Sequence, residues 1–217
     1  MPLSNPAENV FLFKTSDLSC NAYLIKGKEK NVLIDSGTTT AMKPHTEFLK
    51  ELNLRANDIN AILHTHGHYD HFQADKLYDK AKIFLSEFDS KHLEQENPEF
   101  TRAKEQSFYP KINSFLTENQ LIELNPFSFK VIFTPGHTKG SVCFYEQNKK
   151  MLFSGDTLFF QTIGRTDLQT GSFTEIKKSI QKLSELEIEY LFPGHGNIIQ
   201  GLKENQENFK FINENFF

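Results

Sequence analysis

Hydrophobic and polar positions along this chain follow two patterns, one typical of strands and one typical of helices. Short apolar runs bounded by turn-forming residues predict strands at residues 10–13, 21–26, 31–34, 59–63, 83–86, 121–124, 127–133, 142–145, 151–153 and 190–192. Apolar residues at helical spacing predict helices at residues 39–54, 173–186 and 202–213, the second capped by Ser172 or Thr174. Residues 91–116 show helical character that Pro98 and Pro110 interrupt. His45 is expected on the exposed surface of the first helix.

Strands outnumber helices in both halves of the chain, and helices follow the strands in each half. This order predicts an α+β protein in which two sheets pack face to face with helices outside. The chain has 217 residues, which suits one sizeable core, and we expect residues 1–217 to form a single domain. The 22 phenylalanines, in a chain without tryptophan, are interpreted as core-filling residues.

Composition excludes several classes of function. The chain has no apolar run long enough to span a membrane, and its first residues lack the basic and apolar regions of a signal peptide, so a cytoplasmic protein is expected. A net charge of −4 provides no basic field for nucleic acid. Cys20 and Cys143 lie in strand-like segments without metal-type spacing, and they predict buried thiols rather than a disulfide.

A histidine-rich segment follows the apolar run at residues 59–63. Four of the eight histidines lie within residues 64–71. Beyond a strand end, alternate residues project the same way, so His66, His68 and Asp70 can converge while His71 points beside them. His64 precedes this pattern and is expected to face the core or the opposite side of the loop. Imidazole and carboxylate groups suit zinc, iron or manganese, so the segment predicts a metal site.

Three later segments each end an apolar run with a glycine-containing turn and a ligand-type residue. They lie at residues 131–137, 151–156 and 190–195, and they end on His137, Asp156 and His195. Each predicts a strand that delivers one side chain at its end. A single Pro-Gly-His turn is weak evidence for a metal site. Together the three segments add two histidines and one aspartate to the predicted site.

These motifs resemble the metallo-β-lactamase superfamily of hydrolases. The resemblance rests on H-x-H-x-D-H at residues 66–71, G-H-T-x-G-S at 136–141, S-G-D at 154–156 and P-G-H-G at 193–196. It extends from about residue 21 to residue 196, and residues 32–37 resemble the first family motif. The segment Gly164–Asp167 resembles the glyoxalase II-like subgroup and is shared by persulfide dioxygenases. The resemblance implies a four-layer αββα sandwich.

The resemblance also implies a ligand set for two divalent metal ions. His66, His68 and His137 would hold one ion, Asp70, His71 and His195 would hold the second, and Asp156 would bridge them. We expect zinc first, with iron or manganese as alternatives. Asp35 is a candidate acceptor for a ligand N–H, or alternatively a turn residue.

A water between two such ions loses a proton near neutral pH and becomes a hydroxide nucleophile. Asp70 is a ligand and a candidate acceptor for the proton of that hydroxide. The expected function is therefore glyoxalase II-like hydrolysis of a thioester, with S-D-lactoylglutathione as the substrate that the resemblance suggests. Tyr69 is a candidate wall of the substrate pocket, and Lys139 and Arg165 are candidate contacts for anionic groups. For Arg165 a salt bridge with Asp167 is the alternative.

Other functions fit parts of the same pattern. A persulfide dioxygenase would use one iron and a His/His/Asp subset of the same residues, but it usually has a small residue where Tyr69 stands. A non-catalytic metal-binding protein on the same fold is a further alternative, which the complete ligand set disfavours. Full-length glyoxalase II enzymes carry an added helical domain, whereas residues 197–217 suffice for one helix. Residues 91–116 are placed where they can cover the site, with Phe108 and Tyr109 as lid contacts or packing residues.

Overall fold

Two β-sheets form the framework of the protein. The computed structural model describes residues 4–13, 19–39, 45–103 and 108–217. The first sheet contains β1 (Ser4–Ala7), β2 (Val10–Phe13), β3 (Ala22–Lys26), β4 (Asn31–Ile34), β5 (Ile59–Leu63), β6 (Lys82–Ser86) and β7 (Ser114–Leu116). The second contains β8 (Leu121–Leu124), β9 (Phe127–Phe133), β10 (Val142–Glu146), β11 (Met151–Gly155), β14 (Tyr190–Pro193) and β15 (Ile199–Gln200). A small hairpin pairs β12 (Leu158–Phe159) with β13 (Thr162–Ile163).

Both large sheets mix parallel and antiparallel pairs. In the first sheet the strands lie in chain order, antiparallel from β1 to β4 and parallel from β4 to β7. In the second sheet the order is β15-β14-β11-β10-β9-β8, and the pair β11 and β14 is parallel. The pairs β4–β5 and β11–β14 are important for the site, because parallel strands end at the same edge of a sheet.

Six α-helices and two short 3₁₀ helices connect or cover the strands in the described ranges. The α-helices are α1 (His45–Glu51), α2 (Tyr69–Phe72), α3 (Glu87–Glu94), α4 (Pro98–Thr101), α5 (Phe173–Ser184) and α6 (Leu202–Phe216). The 3₁₀ helices are Ala56–Asp58 and Gln73–Leu77. Helix α5 begins where the Ser172 hydroxyl accepts a hydrogen bond from the Glu175 N–H, which makes Ser172 its N-cap.

Alternation along the strands produces three apolar layers. In β10, Val142 and Phe144 point into the core between the two sheets, whereas Cys143 and Tyr145 point to the outer layer under α5 and α6. On the other side, the outer face of the first sheet packs against Phe48 of α1. This two-residue period is what a strand buried on both faces requires. The predicted four-layer αββα sandwich is confirmed.

The structure contradicts one expectation from the sequence and changes the bounds of two others. His45 is buried rather than exposed on α1, because its Nδ1 lies 2.6 Å from the Tyr78 hydroxyl and its ring packs edge-on against Phe13. Helices α3 and α4 in the 91–116 region are separated just before Pro98, as predicted, but residues 114–116 form a strand on β6, and residues 104–107 lie outside the described residues. Residues 40–44 of the first predicted helix lie outside the described residues, and its last residues 52–54 are not helical.

Strands β1, β7, β12, β13 and β15 were not predicted from the sequence. Each has only two to four residues, too few to show a period. Within the described ranges, none of the helices combines the length and the apolar composition needed to cross a lipid bilayer.

Candidate metal centre

The loops that follow five strands meet at one edge of the sandwich. They carry Asp35 after β4, the 64–71 segment after β5, His137 after β9, Asp156 after β11 and His195 after β14. The parallel pairs β4–β5 and β11–β14 bring four of these loops together in two pairs. Gly194 lets the last two loops approach, because a Cβ at this position would collide with Asp156 Oδ1.

Three histidine nitrogens converge in the first half of the site. His66 Nε2 lies 3.0 Å from His68 Nδ1, and His137 Nε2 lies 2.9 Å from the same His68 atom. All three side chains are buried. The three nitrogens therefore face one point, which is the arrangement that a cation with imidazole ligands needs.

The second half of the site combines carboxylates with two further histidines. Asp70 Oδ2 lies 3.1 Å from His195 Nε2 and 3.8 Å from His71 Nε2. Asp156 lies between the halves, with Oδ1 3.4 Å from His71 Nε2 and Oδ2 3.5 Å from His137 Nε2. The structure thus brings together all seven side chains that the sequence predicts as metal ligands.

In two of these histidines, the ring nitrogen that faces away from the cluster contacts a buried acceptor. His71 Nδ1 lies 2.9 Å from Asp35 Oδ2, and His137 Nδ1 donates to the Arg165 carbonyl oxygen at 2.8 Å. A carbonyl only accepts, so the His137 proton is on Nδ1 and its Nε2 lone pair faces the cluster. Asp35 also accepts hydrogen bonds from the Thr65 N–H and hydroxyl, at 2.9 and 2.8 Å. These contacts favour the prediction that Asp35 accepts a hydrogen bond from a candidate ligand over the alternative that it is only a turn residue.

His64 does not join the cluster but connects to it through Asp35. Its Nδ1 lies 3.3 Å from Asp35 Oδ1, and its Nε2 lies 2.8 Å from Asp75 Oδ2. The ring is buried, in agreement with the expectation that His64 faces the core. A buried series of polar groups thus runs from Asp75 through His64 and Asp35 to His71.

Burial keeps the three-histidine half neutral. Burial and the neighbouring imidazoles hold the pKa of His66 well below its usual range and lower the pKa of His68 to about 3. Burial also lowers the pKa of His137. Neutral imidazole is the form that binds a metal ion, so these rings need not lose a proton on binding near pH 7.

The carboxylate half concentrates negative charge. Burial alone would raise the pKa of Asp156, but His71 and His195 lower it well below its usual range. Burial alone would lower the pKa of His71, yet the neighbouring carboxylates of Asp35, Asp156 and Asp70 raise it well above its usual range. This half of the site therefore attracts cations, whether protons on its histidines or metal ions.

Unsatisfied polar atoms show that the donor set fits a metal. Among the described residues, His71 Nε2 and Asp156 Oδ1 are buried, have no hydrogen-bond partner and lie 3.4 Å apart. Buried polar atoms in folded proteins nearly always have a partner. Imidazole nitrogens and carboxylate oxygens are ligands that zinc, iron and manganese share. The site therefore fits divalent metal ions.

The three candidate substrate contacts lie in different settings. Tyr69 is half-buried and packs edge-on against Phe72, 5.7 Å between ring centroids. The Lys139 ammonium lies 4.6 Å from the centre of the Phe88 ring. Arg165 forms two hydrogen bonds with the Asp167 carboxylate, at 2.8 and 2.7 Å, so the salt-bridge alternative describes its contacts. Tyr109 packs against Phe72 beside α4.

Sequence reasoning missed Asp75 and Asp89. Asp75 contacts His64, and Asp89 accepts hydrogen bonds from the loops around His68 and His137. Both carboxylates are buried. Their donors lie between 11 and 51 residues away in the chain, so no local pattern indicates these contacts.

A sequence model of the metallo-beta-lactamase superfamily matches residues 15–195. The chain therefore belongs to this superfamily. It is 36% identical over 191 residues to a probable metallo-hydrolase of Methanocaldococcus jannaschii, covering 83% of this chain and 89% of that protein. It is 32% identical over 218 residues to the hydroxyacylglutathione hydrolase GloC of Haemophilus influenzae, covering 94% of this chain and 98% of that one.

A solved structure supports the same placement. The crystal structure of TTHA1623 in a di-iron-bound form matches with a TM-score of 0.75 and 28% sequence identity, over 92% of this chain and 98% of that chain. The fold and the superfamily that the motifs predict are thus confirmed.

Proposed function

We propose that the protein is a metal-dependent hydrolase of glyoxalase II type that acts on S-D-lactoylglutathione or a related small thioester. The observation that carries this proposal is the match to the hydroxyacylglutathione hydrolase of Haemophilus influenzae, which spans 98% of that relative. The match therefore covers almost the whole of a relative whose name carries this activity.

We further propose how the ligands divide. His66, His68 and His137 hold one divalent ion, and Asp70, His71 and His195 hold the second, with Asp156 between them. The convergence of the three histidine nitrogens and the position of Asp156 against both halves support this division. TTHA1623, described in a di-iron-bound form, supports a two-ion site. Ions held there would activate water as a nucleophile and polarise a carbonyl oxygen.

The side chains of the site have separate roles in this hydrolysis. Overall, water adds to the acyl carbon, the carbon–sulfur bond breaks, and a carboxylic acid and a thiol leave. Asp70 is 31% exposed at its side chain, more than the other carboxylate of the cluster, Asp156 at 12%. It is therefore the better placed acceptor for the proton of the attacking nucleophile. Asp35 and the Arg165 carbonyl keep the rings of His71 and His137 in fixed orientations.

Two cations near the site are proposed to favour anionic substrates. The Lys139 side chain is exposed, in the turn that also carries His137. The Arg165 guanidinium is 57% exposed although it is paired with Asp167. Both groups remain accessible to a carboxylate such as those of glutathione. Tyr69 is proposed as an aromatic wall on the side of the 64–71 segment.

The test is hydrolysis of S-D-lactoylglutathione by metal-loaded protein, followed through the released thiol. Wild type should turn the thioester over, and His66→Ala should lose at least about 100-fold in kcat/KM, since one ligand of the activating centre is gone. Circular dichroism checks that the variant remains folded. Retained activity in His66→Ala would contradict the proposal.

Two other substrates separate the alternatives in the same experiment. Oxygen uptake with glutathione persulfide, without thioester hydrolysis, would instead identify a persulfide dioxygenase. Cleavage of a chromogenic cephalosporin alone would identify a β-lactamase. Metal binding without turnover of any of the three substrates would favour a non-catalytic metal-binding protein.

A further inference from the structure

Asp89 is a buried carboxylate that contacts two ligand-bearing loops without belonging to the metal cluster. It lies in α3, where its own N–H donates to the Ser86 hydroxyl at the N-cap. Asp89 Oδ2 accepts hydrogen bonds from the Gly67 N–H at 2.9 Å and from the Thr138 hydroxyl at 2.8 Å. Asp89 Oδ1 accepts one from the Gly140 N–H at 3.0 Å.

The positions of these donors relate Asp89 to the three-histidine cluster. Gly67 lies between His66 and His68, and Thr138 follows His137 directly. One carboxylate therefore joins the loop after β5 to the turn after β9. Across the same gap, His137 Nε2 lies 2.9 Å from His68 Nδ1. Separation of the two loops would move these nitrogens apart.

The local sequence is adapted to this close approach. A Cβ at Gly67 would lie 3.2 Å from Asp89 Cβ and 2.9 Å from Phe100 Cε1. A Cβ at Gly140 would collide with Asp89 Oδ1 and Ser86 Oγ. Glycine at both positions lets the backbone N–H groups reach the carboxylate. Hydrogen bonds from N–H groups to an ionised carboxylate are among the stronger ones in proteins.

An ion pair does not account for the burial of the Asp89 carboxylate. Within the described ranges, no lysine or arginine forms a salt bridge with Asp89, whose side chain is fully buried. A buried carboxylate is costly unless its hydrogen bonds are satisfied, and here two of the three donors belong to backbone of the ligand loops.

We propose that Asp89 is a positioning residue that holds the three-histidine cluster in its metal-binding geometry before the metal binds. This inference rests on the ligand roles proposed for His66, His68 and His137. A preorganised site binds more tightly because less order must be gained on binding. Asp89 acts only through the two loops and touches neither metal nor substrate.

The variant that tests this is Asp89→Asn, which keeps the shape of the side chain. If the amide oxygen replaces Oδ2, it still accepts from Gly67 and Thr138, whereas the amide NH₂ faces the Gly140 N–H as a second donor. We expect Co²⁺ affinity, measured by its absorption during titration against a competing chelator, to fall by about 10- to 100-fold, as for other groups that orient ligands. Amide exchange at Gly67 and Gly140 in the metal-free protein should accelerate.

Two controls separate positioning from general stability. Ile212→Ala creates a cavity in the layer under α6, away from both loops, and should lower thermal stability while leaving Co²⁺ affinity unchanged. Thr138→Ser retains the hydroxyl and should bind Co²⁺ like wild type, whereas Thr138→Val removes one of the three donors and should bind more weakly.

Unchanged Co²⁺ affinity in Asp89→Asn would overturn the inference, and so would an equal loss in Ile212→Ala. Failure of the wild type to bind Co²⁺ would contradict the metal centre and this inference together. Because the readout is ion binding, a protein that binds Co²⁺ but hydrolyses no thioester would contradict the proposed function alone.

Discussion

The second nitrogen of a histidine ring decides what the first nitrogen can bind. His137 Nδ1 donates to a carbonyl oxygen, and His71 Nδ1 lies against the Asp35 carboxylate. In each ring Nε2 is then the atom that faces the cluster. The orientation of these two candidate ligands is therefore set by residues outside the candidate metal site.

His45 provides a test of buried histidine chemistry away from the metal centre. Burial lowers its pKa to about 4. An unfolded histidine titrates near pH 6.5, so between about pH 6.5 and 4 the unfolded chain binds a proton that the folded protein does not. The contribution of His45 to the free energy of unfolding is therefore constant above pH 6.5. It decreases below that pH, by about 3 kcal/mol in total.

His45→Asn keeps an acceptor for the Tyr78 hydroxyl and removes the titrating ring. Urea unfolding of wild type and variant at several pH values measures the effect, because the other histidines titrate in both proteins. The free energy of unfolding should decrease more for wild type than for the variant as the pH falls from 6.5 to 4. A difference that is independent of pH would contradict this account.

The sequence patterns identified the candidate metal ligands more completely than the buried residues that contact or orient histidines and their loops. The H-x-H-x-D-H segment is local, so spacing alone indicated that its side chains converge. Helical spacing also placed His45 with Phe48 and Leu49, three and four residues along, but its polar type led to the expectation of exposure. The partner that makes its burial possible, Tyr78, follows the second 3₁₀ helix and is 33 residues away along the chain. Asp89 was missed for the same reason, since Gly140 is 51 residues away.

Strand ends are the elements that build the site. Strands β4 and β5 run parallel, as do β11 and β14, and their last residues precede Asp35, His64, Asp156 and Gly194. A sheet of this kind delivers side chains from distant parts of the sequence to one edge. The sequence showed the repeated combination of apolar run, turn and ligand. Strand order depends on long-range pairing and was not evident from it.

Helix α5 depends on its cap at the site end. Ser172 accepts a hydrogen bond from the Glu175 N–H, and its own N–H donates to the Gly136 carbonyl beside His137. Ser172→Ala should destabilise the protein by about 1 kcal/mol and lower Tm by roughly 2–4 °C. Ser184→Ala, in the exposed last turn of the same helix, is the matched control and should change Tm by less than about 1 °C. Equal shifts in scanning calorimetry would contradict the capping role.

Aromatic packing between the sheets joins the two halves of the molecule. Phe153 of β11 stacks on Phe192 and lies edge-on to Tyr23 of the opposite sheet. The expectation that phenylalanine fills the core is therefore met at this interface. The candidate metal cluster lies across the same two sheets, because His66 and His68 follow a strand of the first sheet and His137, Asp156 and His195 follow strands of the second.

Phe153→Ala should cost about 3–5 kcal/mol in the free energy of unfolding, because it removes a fully buried ring and leaves a cavity. Phe160→Ala is the matched control, since that ring is 52% exposed, and its effect should stay within about 0.5 kcal/mol. Denaturation in urea gives both values. A small loss for Phe153→Ala would show that the sheets are held together elsewhere.

Metal content tests most directly the proposal that the site holds two divalent ions with Asp156 between them. Elemental analysis of wild type, purified without added metal and then loaded to saturation, should give about two divalent ions per chain. Asp156→Ala should lose most of this metal while circular dichroism shows a folded protein. Asp167→Ala, which removes an exposed carboxylate paired with Arg165, should retain wild-type metal content. One ion or fewer in wild type, or full metal content in Asp156→Ala, would contradict the account.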